Sequence, residues 1–405
     1  MEEGKDRGDA LAASADPAVA KPPVSSTPGG SARAGMVASS RRDRAADAAN
    51  GGAGGGLRHR GADAAAYAAL DLGTNNCRLL IARPLPYGFK VVDAFSRIIR
   101  LGEGVAVSGA LSEEAIERTI EALRICAGKM RRHRVTRARL IATEACRLAS
   151  NAPEFLARVL DDTGLEIEII SREAEARLAV SGCASLIDTS SDLALVFDIG
   201  GGSSELIWLD LRGRRQHGNA PIDRLEMQNC ISAWTSLPVG VVTLAESHGG
   251  RFVDGVVFDA MVNKVAALLE PFETRHRLRE RMGHLGTHLL GTSGTVTTIA
   301  GVHLGLPRYD RKQVDGCWLD VVQARAVTAK LLASTYAERV AQPCIGTERA
   351  EFVLAGCAIL EALLQAWPCE RLRVADRGLR EGILATLMAE DGLHGAAGRS
   401  SPLGR

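Results

Sequence analysis

Three short stretches of this chain mix glycine with small polar side chains directly after an apolar run. They are DLGTNN (71–76), DIGGGSS (198–204) and GTSGT (291–295). Glycine leaves backbone N–H groups bare, and Ser, Thr and Asn add donors beside them, which together make an anion cradle. The candidate phosphate-holding residues are Gly73, Thr74 and Asn75, then Gly200, Gly201, Gly202 and Ser203, then Ser293, Gly294 and Thr295. Three consecutive glycines are costly, because glycine loses the most backbone freedom on folding. A hairpin turn needs one or two. Taken alone, residues 197–206 read equally well as a glycine-rich hairpin or as a place where a phosphate approaches bare backbone. The same composition at three strand ends favours phosphate. The two commonest phosphate motifs are excluded by their own patterns: no G-x-x-x-x-G-K-[ST] occurs, and no G-x-G-x-x-G opens a helix.

Carboxylates flank the triple glycine. Asp198 precedes it and Glu205 follows it, so a tight hairpin can place both on one side, facing a bound phosphate. Hard oxygen ligands whose shell is completed by phosphate oxygens suit Mg²⁺. Asp71 stands at the equivalent strand end of the first half and either contributes to the metal through water or caps its own turn. Farther from these loops, RRHRVTRAR carries five arginines between 131 and 139 and no acid. It reads as a substrate strip or, slightly better, as a helix C-terminus followed by a solvated turn.

Positioning these loops requires strands that end at the aspartates. YAALDL, CRLLIARP and FKVVDAFSRIIRLG read as three strands, RARLIAT as a fourth and LEIEIIS as a fifth. A helix capped by Ser112 intervenes, with Glu113 and Glu114 in its first turn and Ile116, Ile120, Leu123 and Ala127 at helical spacing. PEFLARVLDDTG reads as a second helix, and a third starts near Arg172. LALVFDIGGGSSELIWLD then restarts the strand–turn–strand pattern, followed by a helical stretch over 257–282, strands HLLG and RLRVAD, and a closing helix from Gly378 to Glu390. The two openings stand a domain's length apart. This weak internal repeat implies two similar α/β lobes facing each other across a cleft. The expected division is a disordered tail over 1–64, a first lobe over 65–186, a second over 187–377, a closing helix (378–390) that packs back on the first, and a flexible tail over 391–405.

Composition excludes little beyond this frame. The chain has 405 residues, 46% hydrophobic and 24% charged, with a net charge of +1, so no overall field calls for nucleic acid or a membrane as partner. Nine scattered cysteines without a C-x-x-C pair argue for reduced thiols rather than a disulfide framework or a zinc site. With no apolar signal core at the N-terminus and no membrane-length run, the expected location is the cytoplasm. The oligomeric state stays open, a homodimer included.

In these loops the sequence resembles the actin–hexokinase–chaperone ATPase superfamily, and more closely the exopolyphosphatase / guanosine pentaphosphatase family. The resemblance is carried by ALDLGTNNCRLLIAR (69–83), IATEACRLASN (141–151), EIISREAEARL (168–178), LVFDIGGGSSELI (195–207), GTSGTVTTIAG (291–301) and DRGLREGIL (376–384). It implies two duplicated actin-like, ribonuclease H-like lobes. It also implies that Glu175 is the general base on an attacking water, with Glu173 on a different helix face. The alternative for a glutamate near Arg177 is a surface ion pair. The resemblance further implies a metal site at Asp198 and Glu205, and phosphate contacts from Thr74, Asn75 and Arg147, whose planar fork would also meet developing charge. Asn76 and Ser204 depart from the family pattern without removing a donor. Some members carry an added helical domain with a His-Asp motif; no histidine here is followed by aspartate, so the expected form is the short, two-lobe one.

The expected activity is Mg²⁺-assisted release of a terminal phosphate from inorganic polyphosphate or guanosine pentaphosphate, with guanosine tetraphosphate as a related ligand. Two readings compete: a kinase or ATPase of the same superfamily, and a sensor that binds such polyanions without cutting them.

Overall fold

An apolar run ending on an aspartate opens each half of the chain, and in the computed structural model both runs become seven-residue strands. The structure describes residues 65–86, 88–213, 225–282 and 285–393. The expected N-terminal tail and most of the C-terminal one lie outside them. β1 (Ala66–Leu72) and β6 (Leu193–Ile199) are buried throughout except at Asp71 and Asp198. β2 (Asn76–Pro84) and β3 (Phe89–Ile98) continue antiparallel on one side of β1; β4 (Val135–Ala142) and β5 (Glu168–Ile169) run parallel on the other. The order is β3-β2-β1-β4-β5.

The second sheet repeats this plan around β6. β7 (Ser204–Asp210) and β8 (Ile231–Leu237) are antiparallel on one side, and β9 (Thr287–Thr292) is parallel on the other. β10 (Trp318–Asp320) and β11 (Arg371–Ala375) complete the order β10-β11-β9-β6-β7-β8, with β10 as an extra antiparallel edge. The duplication expected from the two aspartate-ending strands is therefore present in strand order as well as in sequence.

The described helices of eight residues or more are α1 (Glu113–Arg132), α2 (Ala152–Thr163), α3 (Arg172–Cys183), α4 (Val241–His248), α5 (Gly255–His276), α6 (Gly294–His303), α7 (Val321–Ala333), α8 (Val353–Ala366) and α9 (Leu379–Glu390). In α1 the Ser112 hydroxyl accepts from the Ala115 N–H at 3.2 Å, and the apolar stripe Ile116, Ile120, Leu123 and Ala127 is buried. Two elements are shorter than their sequence suggests. LEIEIIS yields only two ladder residues, because Ser171 is already the N-cap of α3. The helical stretch 257–282 breaks at Arg277, which turns left-handed (φ 50°) to close α5.

Helices α3 and α9 join the lobes. α3 sets Ala176, Val180 and Cys183 in a core with Val196 and Ile207 of the second sheet. Its Leu178 packs with Leu379, Ile383 and Leu384 of α9 over Tyr67, Ala69 and Leu80 of the first sheet. The crossing is too close for side chains. A Cβ on Gly182 would lie 1.8 Å from the Gly378 carbonyl oxygen, and one on Gly382 would lie 2.0 Å from that of Leu178.

All nine cysteines are free, and among the described residues no helix is long and apolar enough to cross a membrane.

Two predictions follow from this packing. Gly182→Ala must push the helices apart, at a cost of about 1–3 kcal/mol; an unchanged urea midpoint would disprove the close crossing. The second concerns His288, fully buried, whose Nδ1 lies 3.0 Å from Ser191 Oγ and whose Nε2 accepts from the Asp188 N–H at 3.2 Å. Burial depresses it to about 4 from an ordinary 6.5. Between those values the unfolded chain binds a proton that the folded one refuses. Stability contributed by His288 is therefore full above pH 6.5 and falls as pH drops toward 4, by about 3 kcal/mol in all. Unfolding free energies from pH 7.5 to 4.5 should lose this slope in His288→Asn.

Candidate functional site

Two hairpin loops of matching construction face each other at the ends of β1 and β6. In the first, the Gly73 N–H donates to the Asn76 carbonyl at 2.9 Å; in the second, the Gly200 N–H donates to that of Ser203 at 3.0 Å. Carbonyls of each loop are taken up from behind: Thr74 and Asn75 by the N–H groups of Gly102, Ile99 and Arg100, and Gly200 and Gly201 by those of Val241 and Val242 at the start of α4. The N–H groups of Thr74, Asn75, Gly201 and Gly202 make no backbone hydrogen bond among the described residues. Such a loop offers donors and withholds acceptors, which suits an anion.

The glycines have a more immediate reason than the one expected from sequence. A Cβ on Gly201 would come within 3.0 Å of Thr74 Cβ, and one on Gly202 within 2.7 Å of Thr74 Oγ1. The close approach they permit is that of the first-lobe loop. Gly240 serves the same packing, since a Cβ there would meet the Gly201 carbonyl at 2.4 Å.

A cavity of about 790 Å³, including its open mouth, lies between the loops. Gly73, Thr74, Asn75, Gly200, Gly201, Gly202, Ser203 and Ser293 line it, as do Asp71, Glu175, Asp198 and Glu205. Gly294 and Thr295 do not. They line an adjoining smaller cavity with Thr298, Arg349, Phe352 and Val353, because α6 begins at Gly294 and turns away. Arg147 does not line the cavity either. It sits behind Glu175, its Nε donating to Glu144 at 2.8 Å and its Nη1 to the Ile170 carbonyl at 3.0 Å. In this structure its guanidinium contacts two glutamates, Glu144 and Glu175. None of the arginines of 131–139 lines the cavity; Arg137 pairs with Glu390 and Arg139 with Glu168.

The carboxylates are arranged by strand register. Asp198 and Glu205 are direct cross-strand partners, as are Asp71 and Arg78 in the first lobe. Glu205 is 2% exposed and accepts from Ser236 Oγ at 2.9 Å. Burial, then the charge of Asp198, raises it to about 7; burial raises Asp198 to about 6 and pushes Asp71 up as well. Glu175, at the start of α3, is pushed well above the usual range by burial and by Glu205, against the pull of Arg147. Arg147 Nη2 is 2.9 Å from Glu175 Oε2, yet the two are not aligned as a hydrogen bond, and this buried oxygen has no hydrogen-bond partner. Glu173 pairs with Arg177 on the surface, so the ion-pair reading belongs to it rather than to Glu175.

Residues without an assigned role in the sequence also reach the cavity. Glu144, 2% exposed, holds Arg147 and accepts from Arg172 Nη2 at 2.6 Å. Arg78 follows Asp71 at the spacing by which Glu205 follows Asp198, so the internal repeat contained its signal. Asp376, Arg377, Arg380 and Glu381 come from DRGLREGIL, where nothing in composition or spacing marked them. Among the described residues no group of three or more His, Cys, Asp or Glu side chains is placed to hold a metal ion alone. Asp71, Asp198 and Glu205 are therefore not a closed three-carboxylate cage.

Paired sheets of one strand order, with glycine hairpins meeting at corresponding strand ends, define a two-lobed protein of the actin-like class. The chain belongs to the Ppx/GppA phosphatase family, whose model matches residues 80–391. It is 29% identical over 326 residues to the guanosine-5'-triphosphate,3'-diphosphate pyrophosphatase of Photobacterium profundum, a match that takes in 80% of this chain and 59% of that protein's length. The crystal structure of the Aquifex aeolicus Ppx/GppA family member is similar at a TM-score of 0.64 and 28% identity, covering 81% of this chain and 99% of that one. An exopolyphosphatase from Cytophaga hutchinsonii shares the fold at a TM-score of 0.70 and 24% identity, covering 81% and 99%.

Ser293 supplies the test of this geometry. It is held at φ 79° and ψ −176°, a backbone region that essentially only glycine tolerates. Ser293→Gly should therefore be more stable than Ser293→Ala by about 1–2 kcal/mol, a reversal of the usual order. Equal thermal midpoints for the two variants would show that the loop is not strained.

Proposed function

We propose that this protein is a phosphohydrolase that releases the terminal phosphate of a linear phosphoanhydride, inorganic polyphosphate or guanosine pentaphosphate. The observation that carries the reading is the buried Glu175 carboxylate, ion-paired with Arg147 at 2.9 Å, on the wall of a cavity built from two anion-suited loops. A water between Glu175 and the terminal phosphorus loses a proton to that carboxylate as its oxygen bonds to phosphorus. The bridging P–O bond breaks, and the shortened chain leaves with the electron pair. A base works best with a pKa near the operating pH, which is the direction in which burial and Glu205 move Glu175. Arg147 keeps the carboxylate in place from behind, and Glu144 in turn fixes Arg147.

The cavity wall carries more acid than base, which a polyanion cannot enter unaided. Asp198 and Glu205, buried and mutually opposed, fit a divalent ion better than they fit each other. They would hold Mg²⁺, which when bound neutralises phosphate oxygens, the rest of its shell coming from substrate and water. Both the fold neighbours and the curated relative support a phosphoanhydride substrate; the pyrophosphatase name favours the guanosine compound and the exopolyphosphatase name the inorganic chain.

The test is phosphate release by the purified full chain with Mg²⁺, offered polyphosphate, guanosine pentaphosphate and ATP separately. Glu175→Gln should lower turnover about 10²–10⁴-fold with folding intact. Chelation should abolish release, and Mg²⁺ should restore it. Full turnover by Glu175→Gln would remove the base assignment. Release from ATP alone would replace the substrate class.

A further inference from the structure

The cavity is lined by three guanidinium groups, and they are not held alike. Arg377 is fixed by Asp315, its Nε donating to the two carboxylate oxygens at 3.1 and 3.0 Å. Arg78 and Arg380 make no hydrogen bond or ion pair among the described residues, although both line the cavity. Arg380 is the more telling of the two, because of what surrounds it.

The segment that carries Arg380 is tied down at almost every other residue. Tyr309 Oη donates to Asp376 at 2.7 Å, and the Asp376 N–H donates to Asp315 at 3.0 Å. The Arg377 carbonyl accepts from Thr292 Oγ1 at 2.7 Å. Glu381 accepts from the Gly378 N–H at 3.0 Å and from Arg311 at 2.9 Å. Arg380 itself makes no hydrogen bond to this frame. It stands in the first turn of α9, where the helix dipole disfavours a cation. Burial and the neighbouring Arg78 disfavour its charge further, offset only by Glu381 and Asp71. A half-buried guanidinium in such a place costs stability.

We infer that Arg380 is a substrate-contacting residue, its guanidinium held ready to take phosphate oxygens of the bound polyanion. The inference rests on the reading of the cavity as a phosphoanhydride site. A planar fork meets two phosphate oxygens at once, and the rigid segment fixes where it points. It supplies permanent positive charge on the first-lobe wall, beside Asp71. The ligand class is an oligophosphate, free or carried by a nucleoside.

The test separates this from a structural role and from the hydrolase reading. Binding of inorganic tripolyphosphate with Mg²⁺ is measured by calorimetry on the full chain carrying Glu175→Gln, then on the same chain with Arg380→Met or Arg380→Lys. Arg380→Met should weaken binding about 10²-fold and leave the thermal midpoint unchanged or raised, since no protein partner is lost. Arg380→Lys, with the charge but not the fork, should fall between. Unchanged affinity in Arg380→Met overturns the inference, as does a lowered midpoint in both variants, which would make the arginine structural. Absence of tripolyphosphate binding before Arg380 is changed overturns it too. If Glu175→Gln still releases phosphate, the base assignment fails while the affinity comparison stands.

Discussion

The contact between the hairpins at the ends of β1 and β6 is the constraint on which the rest depends. Gly201 and Gly202 have no side chain because Thr74 occupies that space. The carbonyls of Gly200 and Gly201 are held by α4 and those of the first loop by the segment 99–102, so neither loop can retreat. Once the loops meet, strand geometry places Asp71 and Asp198 in one cavity, each the single incompletely buried residue of its strand. The crossing of α3 and α9 fixes the same juxtaposition from the far side, again by removing side chains, at Gly182 and Gly382. Glycine backbone against the Thr74 side chain at one place and against helix backbone at the other leaves little slack for the carboxylates between them.

Those carboxylates repel. Asp71, Glu175, Asp198 and Glu205 are all shifted upward, first by burial and then by one another or by other acids. Uncompensated buried acid is expensive, and a core chosen for stability alone would not contain this set. Elsewhere in the same region the protein does compensate: Glu144 has two arginines and Glu381 has Arg311 and a backbone N–H. All of these acids line the one cavity, so the contrast between acids hydrogen-bonded to arginine and acids that are not divides scaffold from chemistry more sharply than burial does.

Much of this frame was legible in the sequence. The aspartate-ending strands, the glycine turns and the spacing between the two openings gave the duplicated lobes, and family resemblance marked Glu175. Local patterns did not show which atoms fill the space beside a glycine, so Gly201 and Gly202 read as room for phosphate when they first make room for Thr74. Local patterns likewise did not show what holds Arg147. Its residue type suits phosphate, but five residues earlier a strand ends and the short helix Glu144–Leu148 turns it toward Glu144 and Ile170. Arg380 and Glu381 come from the far end of the chain, and only the docking of α9 on the first sheet brings them to the cavity.

Duplication explains why the site has one frame and two chemistries. The first lobe sets Arg78 opposite Asp71, and the second sets Glu205 opposite Asp198. With identical register, the same position carries a fixed cation on one wall and an acid on the other. On the proposed reading, a chain of phosphates bound between them would meet guanidinium on the first-lobe side and, on the second, a carboxylate pair whose charge an added cation would balance. An arginine on both walls would hold the anion without any place for a metal. A carboxylate pair on both would leave nothing but metal to hold it. On that reading, divergence at this one register position would let the cavity both grip a polyanion and polarise one end of it.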